Sequence, residues 1–408
     1  MASFNFVYFD PALDGHHVSS HARTIIGEAV RRGWRCLWLT SPAAMEHPAS
    51  RQLIAEMGDA LKLEVAAFPQ LGKVSGKFGQ ATIYEIRHYW ALCRSLRRLA
   101  RVHRVDTVYL AWLDHCPRMF GLFGLPDVGL NYSGMHMHVS LHENNGAAGS
   151  RFARLTRSLT RRMYTRPNLR GVAVIIEQFA EYAKAMNLPG LEKITYVPDI
   201  AFIPPQAGRH TARSTLNLRD EDVLVLSYGA LTGRKGIPAL MQACQQVAEP
   251  QRLVILLAGR QEPGVTAHIF RERDELLKKG VRLIEWNRFL DDSAEALSFA
   301  AADIVWMGYC GFTGSSGVLL QAAAAGLPVI ACQEGAIGRT AQKHELGPRI
   351  DPADPLAVVS ALNRLVADSE FRRRCGEHGR RMAEQHLPVK FGSAICNLIF
   401  ESARGRST

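Results

Sequence analysis

The stretch Thr313–Gly326, TGSSGVLLQAAAAG, combines residue types that can bind an anion without a cationic side chain. Thr313, Gly314, Ser315, Ser316 and Gly317 are small enough to let backbone approach a ligand closely, and Val318–Ala325 reads as a short buried helix. The first N–H groups of a helix have no internal partner and the helix dipole is positive there, so that end suits phosphate oxygens. The same small residues also permit tight packing, and the motif alone does not separate the two uses. Gly326 stops the helix, and Leu327–Ala331 reads as the next buried strand. Elsewhere, the loop Gly229–Gly236 brings Arg234 and Lys235 between glycines. Histidines cluster at Gly15-His16-His17 and at Gly134-Met135-His136-Met137-His138, each after an expected strand. Glu177, Asn287, Arg288 and Glu334 also follow expected strands.

The elements that must carry these residues alternate. Strands are expected over Phe4–Phe9, Cys36–Leu39, Leu63–Phe68, Thr107–Trp112, Val128–Tyr132, Val172–Ile176 and Ile194–Val197, with helices around 25–33, 83–102, 151–170 and 179–186. Val197-Pro198-Asp199 and Ile203-Pro204-Pro205 then interrupt all periodicity, which marks a linker. The pattern restarts with strands Val223–Tyr228, Leu253–Ala258, Val281–Glu285, Ile304–Met307 and Pro328–Cys332, and helices over 237–247, 294–301, 355–367 and 371–385. This is the grammar of parallel sheets wrapped by helices. The expected fold class is α/β, with two doubly wound Rossmann-like domains facing across a cleft. The expected bounds are 1–198 for an N-terminal acceptor domain and 199–385 for a C-terminal donor domain, with a last helix in 386–408 packing back on the first.

A length of 408 residues agrees with two domains, and 47% apolar with 21% charged residues is the composition of a globular chain. No run of about 18 apolar residues occurs and the N-terminus lacks a basic leader, so a cytoplasmic protein is expected. The eight cysteines include no C-x-x-C pair, which argues against a zinc site or a disulfide framework. Net charge is +11, and the first 200 residues hold 24 Lys/Arg against 16 Asp/Glu, so the excess lies mainly in the first half. Arg151, Arg154, Arg157 and Arg161 recur at helical spacing opposite a stripe of Phe152, Leu155, Leu159 and Met163. Such a face fits either solvent or an anionic surface, here the inner face of a membrane or a lipid-phosphate acceptor. No aromatic-rich basic motif or zinc finger points to nucleic acid.

Taken together, several segments resemble the two-domain GT-B glycosyltransferases, specifically the retaining family 4 group. They are Gly229-Ala-Leu-Thr-Gly-Arg-Lys-Gly236, Leu256–Gly259, Ala301–Val305, Leu319–Ala322, Gly326–Ile330, Gly335–Gly338, Gly15-His16-His17 and the Val197-Pro198-Asp199 linker. The resemblance implies transfer of a sugar from a nucleotide-diphosphate sugar, most commonly a UDP-sugar, to a hydroxyl on a glycan or lipid-linked glycan. It implies no metal and no cofactor besides that donor substrate. Lys235 stands at the family lysine that neutralises the diphosphate, while Ala230 replaces the usual arginine and leaves Arg234 as its substitute. Gly15, His16, Gly229, Arg288, Thr313, Gly314, Ser315, Ser316, Gly317 and Gln321 are implied to line the donor, with Glu334 near the sugar. His136 is implied beside the reacting carbon, and His17 and His138 fall on the acceptor side. The family's Glu-x7-Glu pair is replaced by Thr313 and Gln321. Gln321 still accepts from a ribose hydroxyl. The missing carboxylates support one alternative, a catalytically silent GT-B scaffold; a third reading is a nucleotide-sugar epimerase, which would need cleft carboxylates as acid and base that the sequence does not identify.

Overall fold

The computed structural model describes residues 4–12, 17–69, 78–137, 151–201 and 208–404. The chain forms two compact units, Met1–Ile200 with Pro388–Thr408, and Ala201–Leu387. In the first unit β1 (Asn5–Phe9), β2 (Arg35–Thr40), β3 (Leu61–Val65), β4 (Thr107–Leu110), β5 (Asn131–Met135), β6 (Leu169–Val174) and β7 (Ile194–Tyr196) pair in the order β3-β2-β1-β4-β5-β6-β7. In the second, β8 (Val223–Tyr228), β9 (Leu253–Ala258), β10 (Arg282–Trp286), β11 (Ile304–Met307), β12 (Val329–Cys332) and β13 (Arg349–Ile350) pair as β10-β9-β8-β11-β12-β13. All these pairings are parallel. Each sheet reverses direction of growth beside its first strand, and ligands of such sheets bind beyond the carboxyl ends at that reversal.

The strands are apolar throughout because helices cover both faces. Along β8, Val223 and Val225 join Leu253, Ile255, Leu257 and Trp306 in one core. Leu224 and Leu226 join Val254, Leu256, Val305 and Met307 in another, which is the two-residue period of a strand buried on both sides. In the first unit Phe6, Tyr8, Cys36, Trp38 and Tyr109 share a core with Ile25, Ile26 and Ala29 and with Phe391, Ile395 and Ile399 of the last helix, Pro388–Arg404. A Cβ on Gly392 would sit 3.0 Å from the Thr24 carbonyl, so that helix lies close on Arg23–Arg31.

Some elements differ from the sequence reading. β5 begins at Asn131 rather than Val128, since Gly129 takes φ +70° and turns the chain before the strand. The helix Pro263–Lys278 escaped because only Val265, Ile269 and Leu276 of its sixteen residues are buried, too thin a stripe to mark a period. The helix Gly335–Lys343 was legible only as a motif at its first turn. The basic helix Arg151–Tyr164 does not bury its whole apolar stripe: Met163 is buried and Leu159 half-buried, but Leu155 is 54% exposed. It crosses the helix Pro117–Phe123 at Gly121, whose Cβ would meet the Leu159 carbonyl at 2.0 Å, so the contact centres on one end and Leu155 overhangs. Among the described residues no helix is long and apolar enough to cross a membrane.

Candidate functional site

Three chain segments converge beyond the carboxyl ends of β8, β11 and β12 in the second unit. Gly229, at φ +95°, turns the chain out of β8, and its carbonyl lies 1.9 Å from where a Cβ on Gly259 would be, so both positions exclude a side chain. The turn Gly233–Lys235 is pinned to the segment after β11: Cys310 N donates to the Arg234 carbonyl at 2.7 Å and Trp306 Nε1 to the Lys235 carbonyl at 2.8 Å. Ala336 N donates to the Thr313 carbonyl at 2.8 Å, which fixes the Thr313–Gly317 loop from the other side. Thr313, Gly314, Ser315 and Ser316 are half-buried and Gly317 is exposed at the start of the helix Gly317–Ala325. Ser316 is its N-cap and makes no side-chain capping bond. The alanines behind it have a packing role: a Cβ on Gly376 would lie 2.1 Å from the Gly326 carbonyl and one on Gly379 3.0 Å from Ala323 Cα. The small residues of this stretch thus divide their work, the first five at an accessible loop and the rest in close helix contact.

Lys235 is 4% exposed. Its ammonium donates to the Tyr228 carbonyl at 2.9 Å and to the Tyr309 hydroxyl, and it lies 4.3 Å from the centre of the Tyr309 ring. Burial, with a smaller push from Arg234, lowers its pKa to about 7. Burial raises the Tyr309 hydroxyl to about 12, with Ser316 and Arg234 opposing. The Tyr309 ring also meets Phe312 at 5.8 Å, so one tyrosine touches both the lysine and the residue that leads into the serine loop. Arg234 is exposed and stacks over Phe312, 4.7 Å from the ring centre, so it reaches the same loop from outside. Arg288 is exposed after β10, at the sheet edge, away from these contacts. Glu334 caps the helix Gly335–Lys343 without a side-chain bond and is exposed.

Gln321 is 5% exposed and its amide Nε2 donates to Glu295 Oε1 at 2.6 Å. Glu295 lies in the helix Asp292–Ala301, and its Oε2 accepts from the Tyr228 hydroxyl. Burial raises the Glu295 carboxyl above the usual carboxylate range, the Tyr228 bond partly opposes this, and Asp292 adds to it. Tyr228 thus touches the lysine through its carbonyl and the carboxylate through its ring hydroxyl. Tyr228, Tyr309 and Glu295 were missed in the sequence; position beside Gly229 was the one available signal for Tyr228.

In the first unit His136 follows β5 directly and is 3% exposed. Its Nδ1 is 2.5 Å from the Tyr164 hydroxyl and its Nε2 3.5 Å from Asp114 Oδ1, while Asp114 Oδ2 accepts from Met137 N at 2.9 Å. Both ring nitrogens face protein groups. Gly15, His16 and His138 lie outside the described residues, as do the side chains of His17 and Arg151. His17 opens a helical turn, His17–Ala22, whose His21 pairs with Asp199 at 2.8 Å and stacks on Phe391 at 5.0 Å. Among the described residues no group of three or more His, Cys, Asp or Glu side chains is placed to hold a metal ion.

Residues 222–368 match the glycosyl transferases group 1 family. The chain is similar to the D-inositol 3-phosphate glycosyltransferase of Xylanimonas cellulosilytica, 31% identical over 230 residues, which is 53% of this chain and 51% of that one. It is also similar to the phosphatidyl-myo-inositol mannosyltransferase of Mycobacterium leprae, 29% identical over 145 residues, covering 35% and 36%. The matched region thus spans about half the length of the first relative and about a third of the second. In three dimensions it superposes on sucrose-phosphate synthase of Thermosynechococcus elongatus with a TM-score of 0.69 over 98% of both chains, at 17% identity. The second unit thus contains the segment similar to the glycosyl transferases group 1 family, and the two parallel-sheet units have the GT-B fold.

Proposed function

We propose that the protein is a retaining glycosyltransferase that moves a sugar from a nucleotide-diphosphate sugar, UDP first among the nucleotides, to a hydroxyl acceptor on a glycan or lipid-linked glycan. The observation that carries this reading is the placing of buried Lys235, held by Tyr228 and Tyr309, against the segment after β11 that leads through Phe312 into an accessible helix start within the matched domain. A leaving diphosphate gains negative charge in the transition state, so a fixed ammonium and helix N–H groups aimed at one place lower the barrier. An ammonium has three donors, and two protein contacts leave Lys235 one for a phosphate oxygen. Arg234, stacked on Phe312, adds a second charge at the rim. Gly15, His16, Gly229, Arg288, Thr313–Gly317 and Gln321 belong to the donor side of this reading. His136, held by Asp114 and Tyr164, belongs to the reacting side, with His17 and His138 toward the acceptor.

The acceptor class draws on charge. Both relatives are named for inositol compounds that carry phosphate, and the first unit is basic. Arg154, Arg161 and Arg162 are exposed beside exposed Leu155, and Trp90 stands half-exposed in a groove with Arg94, Arg97, Arg98 and Arg101. These surfaces fit a phosphate-bearing acceptor at an anionic membrane face. A thermal-shift series with UDP, GDP and ADP and their sugars tests the donor. A nucleotide at 100 times its dissociation constant should stabilise by about 2.7 kcal/mol. Absence of any shift overturns the reading. Binding without sugar transfer or hydrolysis across a panel of inositol phosphates and lipid glycans assigns the chain to the silent scaffold instead.

A further inference from the structure

The proposed site lacks a carboxylate at position 321, yet a carboxylate stands next to it. Gln321 turns its amide nitrogen, not its oxygen, toward Glu295. A charged acceptor one helix away, on a different element, is thereby tied to the side chain that occupies the donor stretch. The tie continues through Tyr228 to Lys235, so Glu295 and Lys235 stand at opposite ends of one tyrosine, the hydroxyl end and the carbonyl end. The arrangement is dipolar, with an ammonium and the helix start on one side and a carboxylate on the other. A ligand with phosphate at one end and vicinal hydroxyls one ring away has that polarity.

We infer that Glu295 is the carboxylate that accepts from the ribose hydroxyls of the nucleotide, with Gln321 and Tyr228 as the positioning residues that aim it. The inference rests on the donor reading above. Each carboxylate oxygen has two lone pairs, and the two protein bonds use one on each, which leaves Glu295 an acceptor site on both oxygens for the 2′ and 3′ hydroxyls. Glu295 is half-buried rather than sealed, and its environment strengthens a hydrogen bond relative to water. Gln321 also leaves its own carbonyl oxygen as a neutral acceptor beside the carboxylate.

The test compares UDP, GDP and ADP with their 2′-deoxy counterparts by calorimetry on the full chain. The native protein should prefer the ribo form by about tenfold, the worth of a hydrogen bond to a charged group. Glu295→Gln should weaken the ribo form by a similar factor and shrink the preference to about twofold or less. The exchanged pair Glu295→Gln with Gln321→Glu puts a carboxylate back beside an amide and should recover most of the preference. A purely structural Glu295 would instead weaken ribo and deoxy forms alike and lower the melting temperature, leaving their ratio unmoved. That unmoved ratio, or a native protein without ribose preference, overturns the inference alone. A native protein that binds no nucleotide overturns both the inference and the function beneath it.

Discussion

Lys235 is held by a carbonyl and a hydroxyl, with no carboxylate bonded to it among the described residues, and its pKa of about 7 places it on the edge of deprotonation in the free protein. A diphosphate beside it favours the charged form, so its pKa must rise on binding, and binding must take up protons. The sign follows: nucleotide affinity is greatest below pH 7 and falls as pH rises through the free value, by up to about tenfold per unit, until the raised bound value is reached. Calorimetry across that range in two buffers of different ionisation heat reads both the affinity and the proton uptake. The Lys235→Met protein should show a flat profile there. A flat profile in the native protein would remove Lys235 from the diphosphate. In turnover, Lys235→Ala should cost on the order of tenfold to a thousandfold with the fold intact.

At the scale of elements, the donor stretch is held by glycines that another residue would displace. Gly335 has φ +69°, and a Cβ there would lie 2.6 Å from Thr313 Cα and 2.8 Å from the Phe312 carbonyl, both backbone. Gly335→Ala should therefore lower stability by roughly 2 kcal/mol and push the Thr313–Gly317 loop, weakening nucleotide binding with it. Gly264 is the control, since it begins the helix Pro263–Lys278 without positive φ and a Cβ there meets nothing within 4 Å. Gly264→Ala should be neutral or stabilising by up to about 1 kcal/mol. Urea denaturation with a nucleotide titration on each variant checks the pair, and equal behaviour of the two would show that the loop does not depend on that close approach.

For the molecule as a whole, two features act on stability and location. His88 is fully buried, its ring nitrogens have no hydrogen-bond partner among the described residues, and it stacks on His115 at 4.6 Å between Phe9 and Phe68. Burial first, and His115 second, hold its pKa well below the ordinary value. An unfolded chain takes a proton at this residue near pH 6.5, and the folded one does not. The stability is therefore intact above about pH 6.5 and declines as pH falls below it, by up to about 1.4 kcal/mol per unit from this one residue. Urea midpoints from neutral to mildly acid pH should show the decline, and His88→Phe should flatten it by up to one proton's slope. The net charge of +11 with exposed arginines beside Leu155 and Trp90 predicts sedimentation with anionic liposomes at low salt, each arginine adding up to about 1 kcal/mol. Salt should release the protein. Failure to sediment at low salt returns the acceptor to solution.

The amino-acid sequence alone determined the alternation of strand and helix, because a strand buried on both faces is a continuous apolar run bounded by glycine and needs no tertiary information to be seen. β8, β9 and β11 lie at the bounds their residues predict, and the two parallel sheets follow from that alternation. Lys235, Ser316 and Gln321 were legible as residues of glycine-rich turns and of a helix start. What joins them was not. Tyr309 meets Lys235 across 74 positions and Glu295 meets Gln321 across 26, and no period or spacing encodes such pairs. The same holds for His136, whose place after a strand could be read, while the partners that occupy both its nitrogens come from Asp114 and Tyr164 on other elements. Local pattern decides which segments become strands and helices. Only the packed sheet decides which side chains meet beyond its carboxyl ends, and hydrogen bonds and pKa shifts arise from those meetings.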